Sequence, residues 1–381
     1  MSLLEALQQK RSKLKKTGGE KKQESKPTLI CKGSDDYHRL MKETYMEEYW
    51  DKIKSLSFPT EFHPLSTKTA SALLEASKKF EEDPRAEISK DAVEKDANLS
   101  SLAEKISEIA AKNKWSNIFI RLSSRSPKDA AFAKHRFEPL IEAETKNVRN
   151  SDKSLDLEDE EKSELNVKLR AIYRASTYCL RVPNGVEAVR LLIESKRIRE
   201  DLKDFIEGKT DVFNVVVREF ATFDPQMEFR AFVNNGKLTA LTQYNDLCYF
   251  PFVVRANKQI IDRLRDEYEK TLKKKIPLSS CVLDLVFCPG VENDKKQDKE
   301  TSTSENFLRD IIDSMDVMVI EVNPLAEFAG SGMFQWEKAK DKNILLGVSP
   351  FEFRYQSRIP SKGFVRANIA PKWIHVVDGC S

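Results

Sequence analysis

The stretch DVMVIEVNPL, residues 316–325, places a carboxylate and a carboxamide, Glu321 and Asn323, two positions apart in an otherwise apolar run. Alternate side chains of a β-strand share a face, so this spacing predicts Val317, Val319, Glu321 and Asn323 on one side and Met318, Ile320 and Val322 on the other. A further acid, Asp284, stands among apolar neighbours in VLDLVF, residues 282–287. Acids inside apolar strands are costly unless they are paired or bind a metal. Two carboxylates and an amide carbonyl are hard oxygen donors, the kind Mg2+ accepts alongside the phosphates of a bound substrate. Arg218 in VVVREF and Arg230 in MEFRAFV add cations to strands of the same character. Three readings stand on these residues alone. The segment at 316–325 is a strand emerging into solvent; or the arginines neutralise Glu219, Glu228 or the strand acids in ion pairs; or the arginines hold phosphates while Asp284, Glu321 and Asn323 hold a bridging Mg2+.

The elements that must position these side chains are short strands between helices. NIFIRL at 117–122, VFNVVVREF from 212 and SCVLDLVFCP from 280 read as strands. In MEFRAFVNNGKLTALTQYN, from 227, Asn-Gly between two apolar runs predicts a hairpin. Helical spacing appears at 99–113, with Leu102, Ile106 and Ile109 on one face. VEAVRLLIESKRIREDL reads as one helix started by the preceding PNG, and KQIIDRLRDEYEKTLKKKI carries Ile261, Leu264, Tyr268 and Leu272 on one face. Helices interleaved with antiparallel hairpins favour an α+β or mixed α/β fold.

Composition bounds what such a site could serve. Of the 381 residues 40% are hydrophobic and 33% charged, a globular balance with a highly charged surface. The formal charge of +3 is too small to argue by itself for nucleic acid. No apolar run is long enough to span a membrane, and the first residues have no apolar core of signal-peptide length, so the expectation is a cytoplasmic chain. The six cysteines lack the paired short spacings of a zinc site and are read as reduced thiols. His38, His63, His135 and His375 are scattered, with no carboxylate or cysteine at metal-ligand spacing. Charge also marks the irregular parts. Residues 1–28 hold eight Lys or Arg against three Glu and too few apolar residues to fold alone, so they are taken as a flexible tail ahead of a domain spanning 29–381. Within that domain, 151–164 with seven acids reads as a solvated loop, and 290–306 reads as a surface insertion.

Five blocks, FIRLSSRSPKDA (119–130), VVREFATFDPQMEFRAFV (216–233), LTALTQYNDLCYF (238–250), VLDLVF (282–287) and MVIEVNPLAEFAGSGMFQW (318–336), fall in one order that resembles the cell division cycle protein 123 family, also called D123. The resemblance runs from about residue 45 to 340 and implies an ATP-grasp fold, with ATP and Mg2+ between two α+β lobes. It implies that Arg121 faces the phosphates, where relatives commonly have Lys, that Ser124, Arg125 and Ser126 lie along the nucleotide's polar edge, and that Lys128 and Asp129 hold that turn. Arg218 would approach the nucleotide, Glu219, Phe220 and Ala221 would form the hinge beside adenine, and Arg230 would contact the triphosphate. Asp284, Glu321 and Asn323 would be the metal ligands, with Glu321 in place of the more usual Asp. The family role that follows is ATP-dependent assembly of translation initiation factor 2 from its subunits by a monomeric cytoplasmic factor. No residue stands out as catalytic.

The amino terminus is similar to the WASP-homology 2 and β-thymosin motif. Leu3, Leu4 and Leu7 share a helical face and are followed by Leu14 in LKKT, a pattern suited to helix-in-groove docking on monomeric actin. A basic tail with no such partner, or one that meets ribosome or RNA, accounts for the same residues. The competing functional class is an ATP-grasp ligase that joins a carboxylate to an amine on a protein substrate to which this tail recruits it.

Overall fold

Among the described residues eight strands make two sheets. In chain order they are β1 (Thr60–Pro64), β2 (Ile118–Leu122), β3 (Asn214–Glu219), β4 (Glu228–Asn234), β5 (Lys237–Gln243), β6 (Cys281–Pro289), β7 (Met315–Pro324) and β8 (Glu352–Arg354). The chain is known here from a computed structural model that describes residues 33–130, 134–154, 157, 161, 163–210, 213–289, 305–369, 373–374 and 378. The tail at 1–28 with its Leu3, Leu4, Leu7 and Leu14, and residues 290–304 of the expected insertion, lie outside the described residues. The small sheet has the order β1-β3-β2 and the larger one β7-β6-β4-β5-β8. Neighbouring strands run antiparallel except β5 with β8. The arrangement is the α+β class expected from the sequence.

Two cores back the sheets. Helices Thr67–Glu82, Ala97–Lys112 and Gly185–Glu194 bury Leu73, Ile106 and Leu191 in one core with Ile120, Val215 and Val217 of the small sheet. The larger sheet turns Phe229, Ala231, Leu283 and Leu285 into a second core with Ile260, Leu264, Tyr268 and Leu272. The expected hairpin forms between β4 and β5. Asn235 and Gly236 have φ of 50° and 69°, the pair of left-handed conformations that a two-residue type I′ turn needs and that this dipeptide adopts at little cost.

Four expectations need correction. The segment read as one helix is two, Gly185–Glu194 and Lys196–Ile206. Ser195 between them is extended and its Oγ accepts from the Ile198 amide at 3.2 Å, so a side chain satisfies an amide that would otherwise bond the preceding turn. On the helix Asn257–Glu267 the fully buried position is Ile260 rather than Ile261, and a π-helical turn at Tyr268–Leu272 keeps Tyr268 and Leu272 in the core. The first residues of the expected acidic loop, 151–154, instead end the helix Lys134–Ser154, where Asp152 accepts from the buried Arg170 at 2.6 Å.

The fourth concerns β7. Asp284 pairs with Glu321, but the next pair is Leu285 with Val319, so Ile320 is an extra residue in the edge strand. This bulge resets the alternation. Val317 and Val319 share the core side with Val322, not with Glu321 and Asn323, because opposed residues point to one face and Leu283 and Leu285 are core residues. Simple period-2 counting assigns the two halves of the strand to the wrong relative faces.

Candidate functional site

The bulge gives the larger sheet a polar rung. Cross-strand pairing sets Thr242 of β5, Arg230 of β4, Asp284 of β6 and Glu321 of β7 side by side. Arg230 donates from Nε and Nη2 to the two Asp284 carboxylate oxygens, both at 2.8 Å, and from Nη1 to the Gly330 carbonyl at 2.7 Å. A Cβ at Gly330 would come within 2.6 Å of Arg230 Nη1, so a larger residue there requires the guanidinium to shift. Asn323 donates from Nδ2 to Asp284 at 3.2 Å. Two strand positions from Arg230, Glu228 is buried and accepts from the Tyr173 hydroxyl at 2.9 Å.

The small sheet meets this rung at the bulge. Arg121 of β2 is 3% exposed; its Nη1 donates to Glu321 at 2.8 Å, and its remaining nitrogens donate to the Leu122 and Ser124 carbonyls. Arg218 of β3 donates to the carbonyl of the bulged Ile320 at 2.8 Å, to Ser57 and to Thr60. Lys128 reaches in from the turn after β2 and donates to the Tyr244 hydroxyl at 2.6 Å, with Glu321 at 3.8 Å.

These charges are shaped by burial and by one another. Burial resists the charge on Glu321, but Lys128 and Arg121 hold its carboxyl well below the usual range. Burial pushes the Asp284 carboxyl up against the pull of Arg230. It also drives Glu228 up to about 7, with Lys128 opposing and the Asp284 charge adding to the rise. Burial and the nearby Arg121 depress Arg218 to about 10. Lys128 stays above the ordinary lysine range, because Tyr244, Glu321 and Glu228 outweigh its desolvation.

A cleft of about 370 Å³ opens beside the rung. Its polar end holds Lys128, Glu228 and Tyr244, and its apolar end is walled by Phe119, Ile172, Leu180 and Phe220. Of the residues expected at a nucleotide site, Arg218, Glu219, Phe220 and Ala221 line this cleft. Arg230, Asp284, Glu321 and Asn323 form the adjoining rung. Arg121 is not among the lining residues, and its guanidinium is committed to Glu321 and two carbonyls. Ser124 donates to Asp201, and Arg125 grips the same carboxylate with Nε and Nη2, so both are committed to the helix Lys196–Ile206. Ser126 is buried nearby in the chain. Asp129 does hold the turn, accepting from Ser195 Oγ at 2.5 Å and the Arg197 amide at 3.2 Å, whereas Lys128 points to the cleft.

Sequence reasoning gave no site role to Tyr173 or Tyr244 and saw Glu228 only as an ion-pair partner. A signal existed for two of them. Glu228 lies two residues before Arg230 on one strand face, and Tyr244 two after Thr242. Among the described residues no group of three or more His, Cys, Asp or Glu side chains is arranged to hold a metal ion. The candidate set is two carboxylates and an amide, and its chemistry fits Mg2+: all are oxygen donors on adjacent strands, two of them directly opposed. No helix among the described residues is long and apolar enough to cross a membrane.

Comparison with known proteins agrees with this architecture. A translation initiation factor eIF2 assembly protein of Vanderwaltozyma polyspora is 25% identical over 144 residues, 38% of this chain and 32% of that protein. A second, from Emericella nidulans, is 27% identical over 157 residues, 41% of this chain and 31% of that protein. The chain thus spans about a third of the length of these curated relatives. The solved structure of Cdc123 from Schizosaccharomyces pombe superposes with a TM-score of 0.51 at 15% identity, covering 85% of this chain and 98% of that one, a likeness of fold. The D123 family model matches residues 171–367, from the middle of the helix Glu164–Tyr178 through the polar rung to the helix Lys362–Asn368, and the chain therefore belongs to the D123 family.

Proposed function

We propose that this chain is an ATP-grasp protein that binds ATP with Mg2+ in the cleft and serves in the assembly of translation initiation factor 2. The observation that carries the nucleotide reading is the polarity of the cleft. One end is an apolar slot beside the hinge at Glu219–Ala221, suited to a planar base. The other ends at Lys128 and the rung, where three cations (Arg121, Lys128, Arg230) face three acids (Glu228, Asp284, Glu321). A triphosphate needs cations, and its metal needs oxygen donors.

Lys128 is the cation best placed for the phosphates, since it lines the cleft and its short contact is with a neutral hydroxyl. Arg230 contributes charge from the rung, while Arg121 orients Glu321. Asp284, Glu321 and Asn323 would hold Mg2+, which when bound shields the phosphate charge. Burial of Asp284 and Arg121 strengthens the contacts they make. The assembly role rests on the names of the relatives, and its partner is the set of initiation factor 2 subunits.

Calorimetric titration of the full chain with ATP in excess Mg2+ tests the site. Wild type is expected to bind, and Glu321→Gln to lose at least tenfold in affinity; an unchanged affinity in that variant overturns the metal assignment. Affinity purification from cell extract tests the partner, with enrichment of initiation factor 2 subunits expected and their absence counting against the assembly role.

A further inference from the structure

The apolar end of the cleft has a wall that comes from far along the chain. Ile369 and Trp373 line it, beyond the last residue, 367, matched by the D123 family model. Both residues pack with the core of the larger sheet, and Trp373 reaches further. Ile369 follows the helix Lys362–Asn368 and packs in the core of the larger sheet together with Val365 of that helix. Trp373 packs against that same core and also against a separate small cluster, Phe137, Ile172, Ala175, Cys179 and Leu180, supplied by the helices Lys134–Ser154 and Glu164–Tyr178 and the turn after the second. Its ring centroid lies 4.3 Å from that of Phe137, at 42° between planes. Phe137 is 1% exposed, whereas Trp373 retains partial exposure, so the indole covers the cluster on one side and borders the cleft on the other.

An indole at this place supplies a broad, polarisable face to a cleft that Phe220 and Phe119 also line. Aromatic faces pair preferentially with flat rings and add affinity beyond the area they bury. The charged side chains that line the cleft are Lys128, Arg218, Glu219 and Glu228, and Trp373 and Ile369 add none. The wall therefore discriminates by shape and stacking rather than by charge.

We propose that Trp373 is a ligand-contacting, specificity-determining residue of the cleft, and that together with Ile369 it forms the wall against which the base of a nucleotide packs. This rests on the nucleotide reading of the cleft. The contact belongs to the base, so it strengthens binding of adenosine and ATP alike, in contrast to Lys128 and Arg230, whose contribution needs phosphates.

The test uses the full chain, with ATP and adenosine as probes in excess Mg2+. Trp373→Ala is expected to weaken both ligands by about three- to tenfold, the range for an aromatic contact, and Trp373→Phe to recover most of the loss. ATP is also expected to change the tryptophan fluorescence of wild type, with that change lost in Trp373→Phe, which keeps the packing on Phe137. Equal affinities for wild type and Trp373→Ala, or a fluorescence change that persists in Trp373→Phe, overturn the proposal while leaving the nucleotide site in place. Failure of wild type to bind either probe overturns the nucleotide reading itself and the proposal with it.

Discussion

Buried charge at the polar rung makes single residues decisive. Asp284 is fully buried and takes both of its close contacts with a cation from Arg230. Removing one member strands the other, which costs about 3–5 kcal/mol in comparable pairs. Urea unfolding of Arg230→Ala should show a loss of that order, with the double variant Arg230→Ala, Asp284→Ala less destabilised than the sum of the singles. If Arg230 also meets phosphates, its loss weakens ATP more than adenosine; equal losses would leave it a structural pair only. Glu228 offers a pH test. Its folded pKa of about 7 exceeds the ordinary glutamate value of 4.5, so the folded protein binds the extra proton. Its contribution to stability is therefore fully present below the unfolded value and falls as pH rises between 4.5 and about 7. Glu228→Gln, which cannot ionise, should flatten that decline, gaining up to about 3 kcal/mol over wild type at pH 8 relative to pH 4. Denaturation midpoints across this range that track wild type would show that Glu228 is not the group responsible.

At the scale of elements, irregularities place the functional groups. The bulge at Ile320 turns Glu321 and Asn323 onto the face of Asp284 and frees a carbonyl that Arg218 uses. The break at Ser195 gives the helix Lys196–Ile206 its own amino-terminal cap and at the same time anchors Asp129, next to Lys128 in the chain. Ser195→Ala should lower stability by about 1–2 kcal/mol through the cap, and it should also loosen the turn that carries Lys128. The readout is a thermal melt together with an ATP titration, and a melt shifted without any change in affinity would separate the cap from the site. The hairpin turn is a simpler case. Gly236→Ala forces a side chain into φ of 69°, and a loss of about 1 kcal/mol with unchanged nucleotide affinity is expected, since the turn lies at the far end of β4 from Glu228.

At the scale of the molecule, a seam along β7 helps to join the two sheets. Arg121 to Glu321, Arg218 to the Ile320 carbonyl, Ser57 Oγ to the Val319 carbonyl at 2.6 Å and the Val322 amide to the Tyr49 hydroxyl at 3.2 Å all converge on β7. The strand that carries two of the candidate metal ligands, Glu321 and Asn323, is thus also a strand that fastens the small sheet. Arg121→Met should cost more than Arg218→Met. The first leaves a half-buried Glu321 carboxylate whose nearest cation is Lys128 at 3.8 Å, while the second takes Arg218 from the Ile320 carbonyl, worth about 1–3 kcal/mol when orphaned, and leaves the Ser57 and Thr60 hydroxyls still donating to the Val319 and Phe58 carbonyls. Chemical denaturation of the two variants checks the order, and the reverse ranking would show that the seam is held chiefly by Arg218.

Much of this was legible in the residues because local chemistry dictates it. Asn-Gly selects the hairpin turn, apolar runs become strands, and acids and arginines inside those runs must find partners, so Arg230, Asp284, Glu321 and Asn323 could be singled out before any fold was known. Other features depend on groups that meet only in three dimensions. Period-2 counting cannot foresee a bulge, which arises from pairing with a second strand 30 residues or more away. Nor can the sequence say which of several cations faces a cleft: Arg121 and Lys128 lie in one block, yet the first is spent on a carboxylate of the other sheet and the second lines the cavity. Trp373 lies outside every block that carried the family resemblance, and only the tertiary structure brings it to Phe137 and to the cleft. Residue type and spacing determine which groups need partners, and tertiary packing decides which partners they get.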